Sequence, residues 1–231
     1  GGAATLYGPY AAKGADGVNR FSPIVVQNVG TTAVAPVLTF VPQGTARPAQ
    51  TFSGPSVGPG ASWAFDPRFT LGTTTPCTVQ SSTCLGNGSY SVVITASGGQ
   101  IAAVILPVSD ATAMAYTAAA TATPRAYLPN VTRTLGGPDG YTTPIILQSG
   151  GATSATLRWY RFTDGSLVTT TTHNLPASGA VSIDPRTVAG LSDDTQYAVV
   201  ADGTGGGIVA VVEELSFGGG DSAFIYEGFG Q

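Results

Sequence analysis

Gly60-Ala61-Ser62-Trp63-Ala64-Phe65-Asp66-Pro67-Arg68 returns later in the chain as Gly179-Ala180-Val181-Ser182-Ile183-Asp184-Pro185-Arg186. The Asp-Pro-Arg ends are identical and lie 118 residues apart, from 66 to 184. Further matches keep the same order on either side. Tyr7-Gly8-Pro9-Tyr10 answers to Tyr127-Leu128-Pro129-Asn130, and Pro23-Ile24-Val25-Val26-Gln27 to Pro144-Ile145-Ile146-Leu147-Gln148. Downstream, Tyr90-Ser91-Val92-Val93 matches Tyr197-Ala198-Val199-Val200, and Ile101-Ala102-Ala103-Val104 matches Ile208-Val209-Ala210-Val211. Ala113-Met114-Ala115-Tyr116 closes the series against Ala223-Phe224-Ile225-Tyr226. Self-similarity at one long period means that a folding plan has been used more than once. These ordered matches predict an internal duplication.

The spacing falls from 118 residues at the Asp-Pro-Arg block to 107 between Tyr90 and Tyr197, so the first copy carries 11 extra residues between Arg68 and Tyr90. Both cysteines of the chain, Cys77 and Cys84, fall inside that interval. The expectation is a local disulfide stapling an enlarged loop over 69–89, worth only ~2–3 kcal/mol in the loop-entropy model. The competing reading, two free thiols or half a zinc site, finds only His173 to complete the metal shell.

Charged residues make up 10% of the 231-residue chain against a usual quarter, and 32 glycines with many Thr, Ser and Ala stand in their place. The chain has one lysine, Lys13, and a formal net charge of −4. That excludes nucleic acid as a partner, because displacing phosphate counterions needs clustered Lys and Arg. It also argues against an anionic membrane surface. No apolar run approaches the ~20 residues of a membrane-spanning helix, so no membrane insertion is expected. Met114 is the only methionine. With a cysteine pair set for oxidation, the expectation is a secreted or cell-surface protein whose signal peptide has been removed.

Apolar residues nowhere keep helical spacing over three turns, whereas alternating and β-branched runs recur between Gly, Pro and Asp-Gly turns. Ile24–Val29, Tyr90–Thr95, Gln100–Val108, Tyr127–Val131, Ala155–Phe162, Leu167–Asn174 and Ile208–Leu215 read as strands. Lys13-Gly14-Ala15-Asp16-Gly17 reads as a turn, and Ala96-Ser97-Gly98-Gly99 as a hairpin turn between two paired strands. About seven short strands per copy predict an all-β chain of two tandem antiparallel β-sandwiches, Ig-like or jelly-roll-like. The expected division is 1–118 for the first repeat, 119–124 for a linker and 125–231 for the second.

Pro23-Ile24-Val25-Val26-Gln27-Asn28, followed by Tyr90-Ser91-Val92-Val93, Ile101-Ala102-Ala103-Val104 and Ala113-Met114-Ala115-Tyr116, resembles the tandem β-sandwich repeat domains of bacterial cell-surface and extracellular structural proteins, particularly those of filamentous, thermophilic, surface-coated bacteria. The resemblance covers nearly the whole chain. It implies an extracellular structural role and no chemistry. The second copy departs from the pattern at Ser149-Gly150, where the first has Asn28-Val29.

Candidate sites are few. Asp66 with Arg68, and Asp184 with Arg186, read as structural turns in which Asp caps, Pro pre-sets the backbone and Arg pairs with the carboxylate. His173 lies in a threonine run with no partner that would make it a catalytic base. Glu213 and Glu214 are adjacent on a strand and leave opposite faces, so they form no carboxylate dyad. A cation site between them and Asp221 or Glu227, or structural Ca²⁺ at Asp193-Asp194, lacks the regular acidic spacing of a calcium loop. No cofactor is expected, with structural Ca²⁺ as the alternative. Trp63 reads as core. Trp159 and Tyr160 point to opposite faces of a strand, so one of them can serve as a glycan platform. Asn87-Gly88-Ser89 and Asn130-Val131-Thr132 fit the glycosylation pattern.

No nucleophile, base and metal shell come together, so the chain is not expected to be an enzyme. The expected role is a structural subunit whose partners are copies of itself, forming a homopolymeric filament, sheath or coat. Its assembly strands are expected at Ala3-Ala4-Thr5-Leu6-Tyr7 and Ala223-Phe224-Ile225-Tyr226, apolar ends suited to adding to a neighbour's sheet. A carbohydrate-binding or adhesive module acting on surface glycans is the alternative.

Overall fold

A computed structural model describes residues 2–15, 19–44, 47–216 and 223–231. The described regular structure is β throughout, apart from one 3₁₀ turn at Pro185–Thr187. The chain divides into two units, Gly1–Thr121 and Ala122–Gln231.

The first unit holds β1 (Thr5–Ala15), β2 (Arg20–Phe21), β3 (Ile24–Asn28), β4 (Val37–Pro42), β5 (Gln50–Ser53), β6 (Ser62–Phe65), β7 (Gly88–Thr95), β8 (Ile101–Ile105) and β9 (Tyr116–Thr117). They form one sheet in the order β2-β1-β7-β4-β5 and a second in the order β6-β3-β8-β9, antiparallel throughout. The second unit holds β10 (Arg125–Arg133), β11 (Ile145–Gly150), β12 (Ser154–Arg161), β13 (Leu167–Asn174), β14 (Ala180–Ile183), β15 (Thr195–Thr204), β16 (Gly207–Leu215), β17 (Ala223–Glu227) and β18 (Phe229–Gly230). Its sheets run β18-β10-β15-β12-β13 and β14-β11-β16-β17. Read from β1 and β10, the strand orders coincide.

Alternation builds the cores. In β4, Leu38 and Phe40 turn inward, while in β12 it is Ala155, Leu157 and Trp159. Phe40, Phe52, Phe65 and Tyr90 fill the first sandwich with ring centroids 5.1–5.9 Å apart. In the second, Trp159 stands at the position of Phe40, edge-on to Tyr197, and its indole N–H donates to the Thr171 hydroxyl at 3.1 Å. Thr171 faces Leu157 as Phe52 faces Leu38, so one large ring and a hydroxyl take the place of two rings.

The Tyr-x-Pro blocks mark a shared irregularity. The β1–β7 register shifts between Gly8 and Ala11, and the β10–β15 register between Leu128 and Val131, with a proline inside each shift. Proline lacks an N–H to place in a ladder, which suits a bulge. The freed main-chain groups are taken by a tyrosine from the last strands. Tyr116 Oη accepts from Tyr10 N at 3.0 Å and donates to Tyr10 O at 2.6 Å. Tyr226 Oη does the same at Asn130, at 3.3 and 2.5 Å. Where the two units differ in sequence, at Asn28 and Ser149, either side chain ties down the turn that follows. Asn28 bonds Thr32 O, Val57 O and Gly30 N, and Ser149 bonds Ala152 O and Gly151 N.

Several expectations are corrected. β7 and β8 do not pair as a hairpin, because the Gly98-Gly99 turn carries the chain from one sheet to the other and β8 pairs with β3. β15 and β16 behave alike. Lys13 is no turn residue but part of β1, while Asp16-Gly17 lies outside the described residues. β5 forms in a stretch broken by Gly and Pro. The 119–124 linker is not a free spacer, since Ala119 pairs with Tyr7 and Thr123 with Ile208.

Candidate functional site

The Asp-Pro-Arg corners are superposable in their bonding. Asp66 Oδ1 accepts from Arg68 N at 3.0 Å, and the Arg68 guanidinium closes on both carboxylate oxygens at 2.7–3.2 Å. Asp184 holds Arg186 in the same way at 2.7–3.1 Å. Both pairs are exposed, so each adds at most ~1 kcal/mol. Their carboxylates are spent on the turn, which leaves a structural role.

In the first unit the enlarged loop is stapled by a Cys77–Cys84 disulfide with Cα atoms 5.4 Å apart. Gln50, at the head of edge strand β5, laces the loop down. Its amide donates to Ser81 O at 3.0 Å and Cys84 O at 3.3 Å, and its carbonyl accepts from Gly86 N at 2.9 Å. The chain's only lysine is buried beneath this loop. Lys13 Nζ donates to Leu85 O at 2.5 Å and Cys77 O at 2.9 Å and lies 2.5 Å from Cys77 Sγ. Burial holds the Lys13 ammonium below its ordinary pKa, and the two carbonyls supply the acceptors that a buried cation requires.

The predicted assembly strands are not free. Thr5, Leu6 and Tyr7 pair along β7, Ala3 pairs with Ile101, Tyr7 pairs with Ala119 on its other side, and Leu6 is 1% exposed. Removing Ala3-Ala4-Thr5-Leu6-Tyr7 to pair elsewhere would open the first sandwich. Ala223-Phe224-Ile225-Tyr226 lie in β17, paired along β16, with Tyr226 tied to Asn130. β17 nevertheless forms a sheet edge with Phe224 half exposed.

The edges are unequal. β5, β6 and β14 have four residues each and β17 has five, and β2, β9 and β18 have two. β13 has eight: Leu167-Val168-Thr169-Thr170-Thr171-Thr172-His173-Asn174, without formal charge at neutral pH and without proline. A bulge opposite Trp159 and Tyr160 affects its hairpin end, leaving Thr169–Asn174 in regular register with β12. Phe162 and Leu167, beside that hairpin, are both 54% exposed. No described strand pairs with the far side of β13. Length and exposure of this edge escaped the sequence reading because a threonine run looks the same inside a sheet and at its rim.

The glycan platform is corrected. Trp159 is 0% exposed and has no face for a sugar. Tyr160 remains half-buried on the outer face of β12, beside an Arg158–Asp202–Arg125 cluster in which Asp202 pairs with both guanidinium groups. The rest of the polar inventory is engaged locally. His173 Nε2 contacts the Thr171 hydroxyl at 3.0 Å, and burial lowers its pKa. Glu213 is buried, whereas Glu214 accepts from Asn130 Nδ2 at 3.3 Å and burial raises its pKa. Asn130 also accepts from Gln196 Nε2 at 2.8 Å, so both ends of this glycosylation-pattern amide are occupied, while Asn87 is exposed. Asp193 pairs with Arg133 at 2.7 Å, which holds its carboxyl below the ordinary range. Asp221 lies outside the described residues. Among the described residues no group of three or more His, Cys, Asp or Glu is placed to hold a metal ion. Nor is any described helix long and apolar enough to cross a membrane.

No protein-family model, curated protein or solved structure matches the chain.

Proposed function

We propose that this chain is a secreted structural subunit that associates with copies of itself, through sheet edges and neutral surfaces, into an extracellular filament, sheath or coat. The two units, on this reading, are copies of one ancestral sandwich. Shared strand order, the Tyr116 and Tyr226 anchors and the paired Asp-Pro-Arg corners support the duplication. The observation that carries self-association is the long, uncharged, uncovered edge of the second unit, a feature that soluble monomers ordinarily suppress with charge, proline or brevity. A shallow trough of about 560 Å³ in the first unit, lined by Val25, Ala102, Val104, Thr117 and Ala120, adds apolar surface. The disulfide is compatible with an extracellular setting. The role is mechanical, without catalysis or a cofactor.

The test is sedimentation velocity and negative-stain electron microscopy of the purified full chain from micromolar to millimolar concentration. Growth into regular assemblies is the expected result, and a lone 23.1 kDa particle throughout would sink the reading. A second reading, glycan binding, draws on Tyr160 beside Arg158. It expects saturable binding on a glycan array that Tyr160→Ala abolishes.

A further inference from the structure

We infer that β13 is the self-association edge, and that its partner is β13 of a second copy, paired antiparallel about a two-fold axis at Thr170. This inference rests on the self-association proposed above and names the surface.

An edge strand turns the N–H and C=O of every second residue away from its sheet. Leu175 N donates inward to Thr153 O at 2.9 Å. Counting back by alternation, Thr170, Thr172 and Asn174 therefore direct their main-chain groups outward. Three donors and three acceptors in a straight row form a template for one more strand.

The occupant follows from length, charge and availability. β5, β6 and β14 are half as long, and the head of β5 is already laced to the disulfide loop. The start of β1 is paired along β7 and tied at Tyr7 to Ala119. β17 brings Glu227 on its own strand and Glu213 and Glu214 on its neighbour, so a pair of β17 strands would gather carboxylates. β13 presents none of these obstacles to itself. With Thr170 opposite Thr170, Thr169 meets Thr171 and Val168 meets Thr172. The five central residues, Val168 to Thr172, are all β-branched, a favoured cross-strand combination, and Leu167 meets His173 at either end. Like charges never meet. The two five-stranded sheets would join into one of ten strands, and the two-fold makes the contact isologous and closed. β13 pairing alone therefore yields a dimer, and a polymer needs a second contact elsewhere.

The experiment is sedimentation velocity of the full oxidised chain, wild type against Thr170→Pro and the double variant Thr170→Lys, Thr172→Lys. Position 170 spends its N–H outward, so proline there spares the β12 ladder and blocks only an incoming strand. Circular dichroism and melting temperature check each variant. Amide hydrogen exchange on the unaltered wild type gives a readout that needs no variant. The expected result is a concentration-dependent dimer with slowed exchange at Thr170 and Thr172, and at least tenfold weaker association in both variants. An associating wild type whose folded variants associate equally, or whose Thr170 and Thr172 amides stay unprotected while associated, overturns the β13 assignment and leaves self-association standing. A wild type that stops at the dimer upholds β13 and overturns the homopolymer. A wild type monomeric at every concentration overturns both.

Discussion

The hydroxyl of Tyr116 both donates to the main-chain carbonyl of Tyr10 and accepts from its N–H, and Tyr226 repeats the arrangement on Asn130. Each contact closes a sandwich by fixing a strand near its end, β9 or β17, to a bulge in its first strand. Leaving a buried donor and acceptor unsatisfied costs ~1–3 kcal/mol. Tyr116→Phe should therefore destabilise the first unit by about that amount in urea unfolding. Tyr226→Phe should cost less, because Tyr226 is only partly buried whereas Tyr116 is 3% exposed. Burial and the nearby Glu214 push the Tyr226 phenol up to about 12, so it stays protonated and able to donate well into alkaline solution. Equal costs for the two substitutions would contradict the burial argument.

Trp159→Ala should unfold the second unit rather than abolish ligand binding. Truncating a buried tryptophan typically costs ~3–5 kcal/mol. Calorimetry should show one transition lowered or lost with the other retained. A folded, fully stable variant would show that the ring is not core.

The loop over the first sandwich should respond to both its staple and its lysine. Cys77→Ser with Cys84→Ser should cost ~2–3 kcal/mol in the loop-entropy model. Lys13→Met keeps the stem but leaves Cys77 O and Leu85 O without their ammonium donor. It should speed proteolytic cleavage within 69–89 while sparing the second unit. Unchanged cleavage would mean that the ammonium does not hold the loop.

Glu214 carries a pH signature. Its carboxyl is raised in the folded chain by burial, so the folded state binds that proton more tightly than the unfolded one. Its favourable contribution is present below the unfolded value and is lost as pH rises through the folded value. Glu214→Gln should therefore raise the melting temperature at pH 7 by about 1–3 °C and change it little at pH 4. The outcome that would refute the assignment is an equal shift at both pH values.

Legibility followed the range over which each signal acts. The Asp66 and Asp184 corners were readable because cap, proline and arginine lie within three residues. β13 was readable as a strand from its β-branched run. The bonding partner of the Tyr-x-Pro block was not, since Tyr116 and Tyr10 are 106 residues apart and nothing local announces the contact. The turn at Gly98-Gly99 reads alike whether it returns the chain to the same sheet or carries it across the core. Ala3–Tyr7 is ambiguous for a related reason: an apolar strand suits a place in its own sheet as well as a place in a neighbour's. Which of Trp159 and Tyr160 faces out was undetermined by alternation alone, and the space filled by Phe40, Phe52 and Phe65 in the first unit shows what the indole replaces.

The two tyrosine anchors bear on the order of events during synthesis. A unit whose opening strand is locked by its closing strand cannot finish folding until that closing strand has left the ribosome. Each unit therefore stays unlatched until nearly all of it has been made.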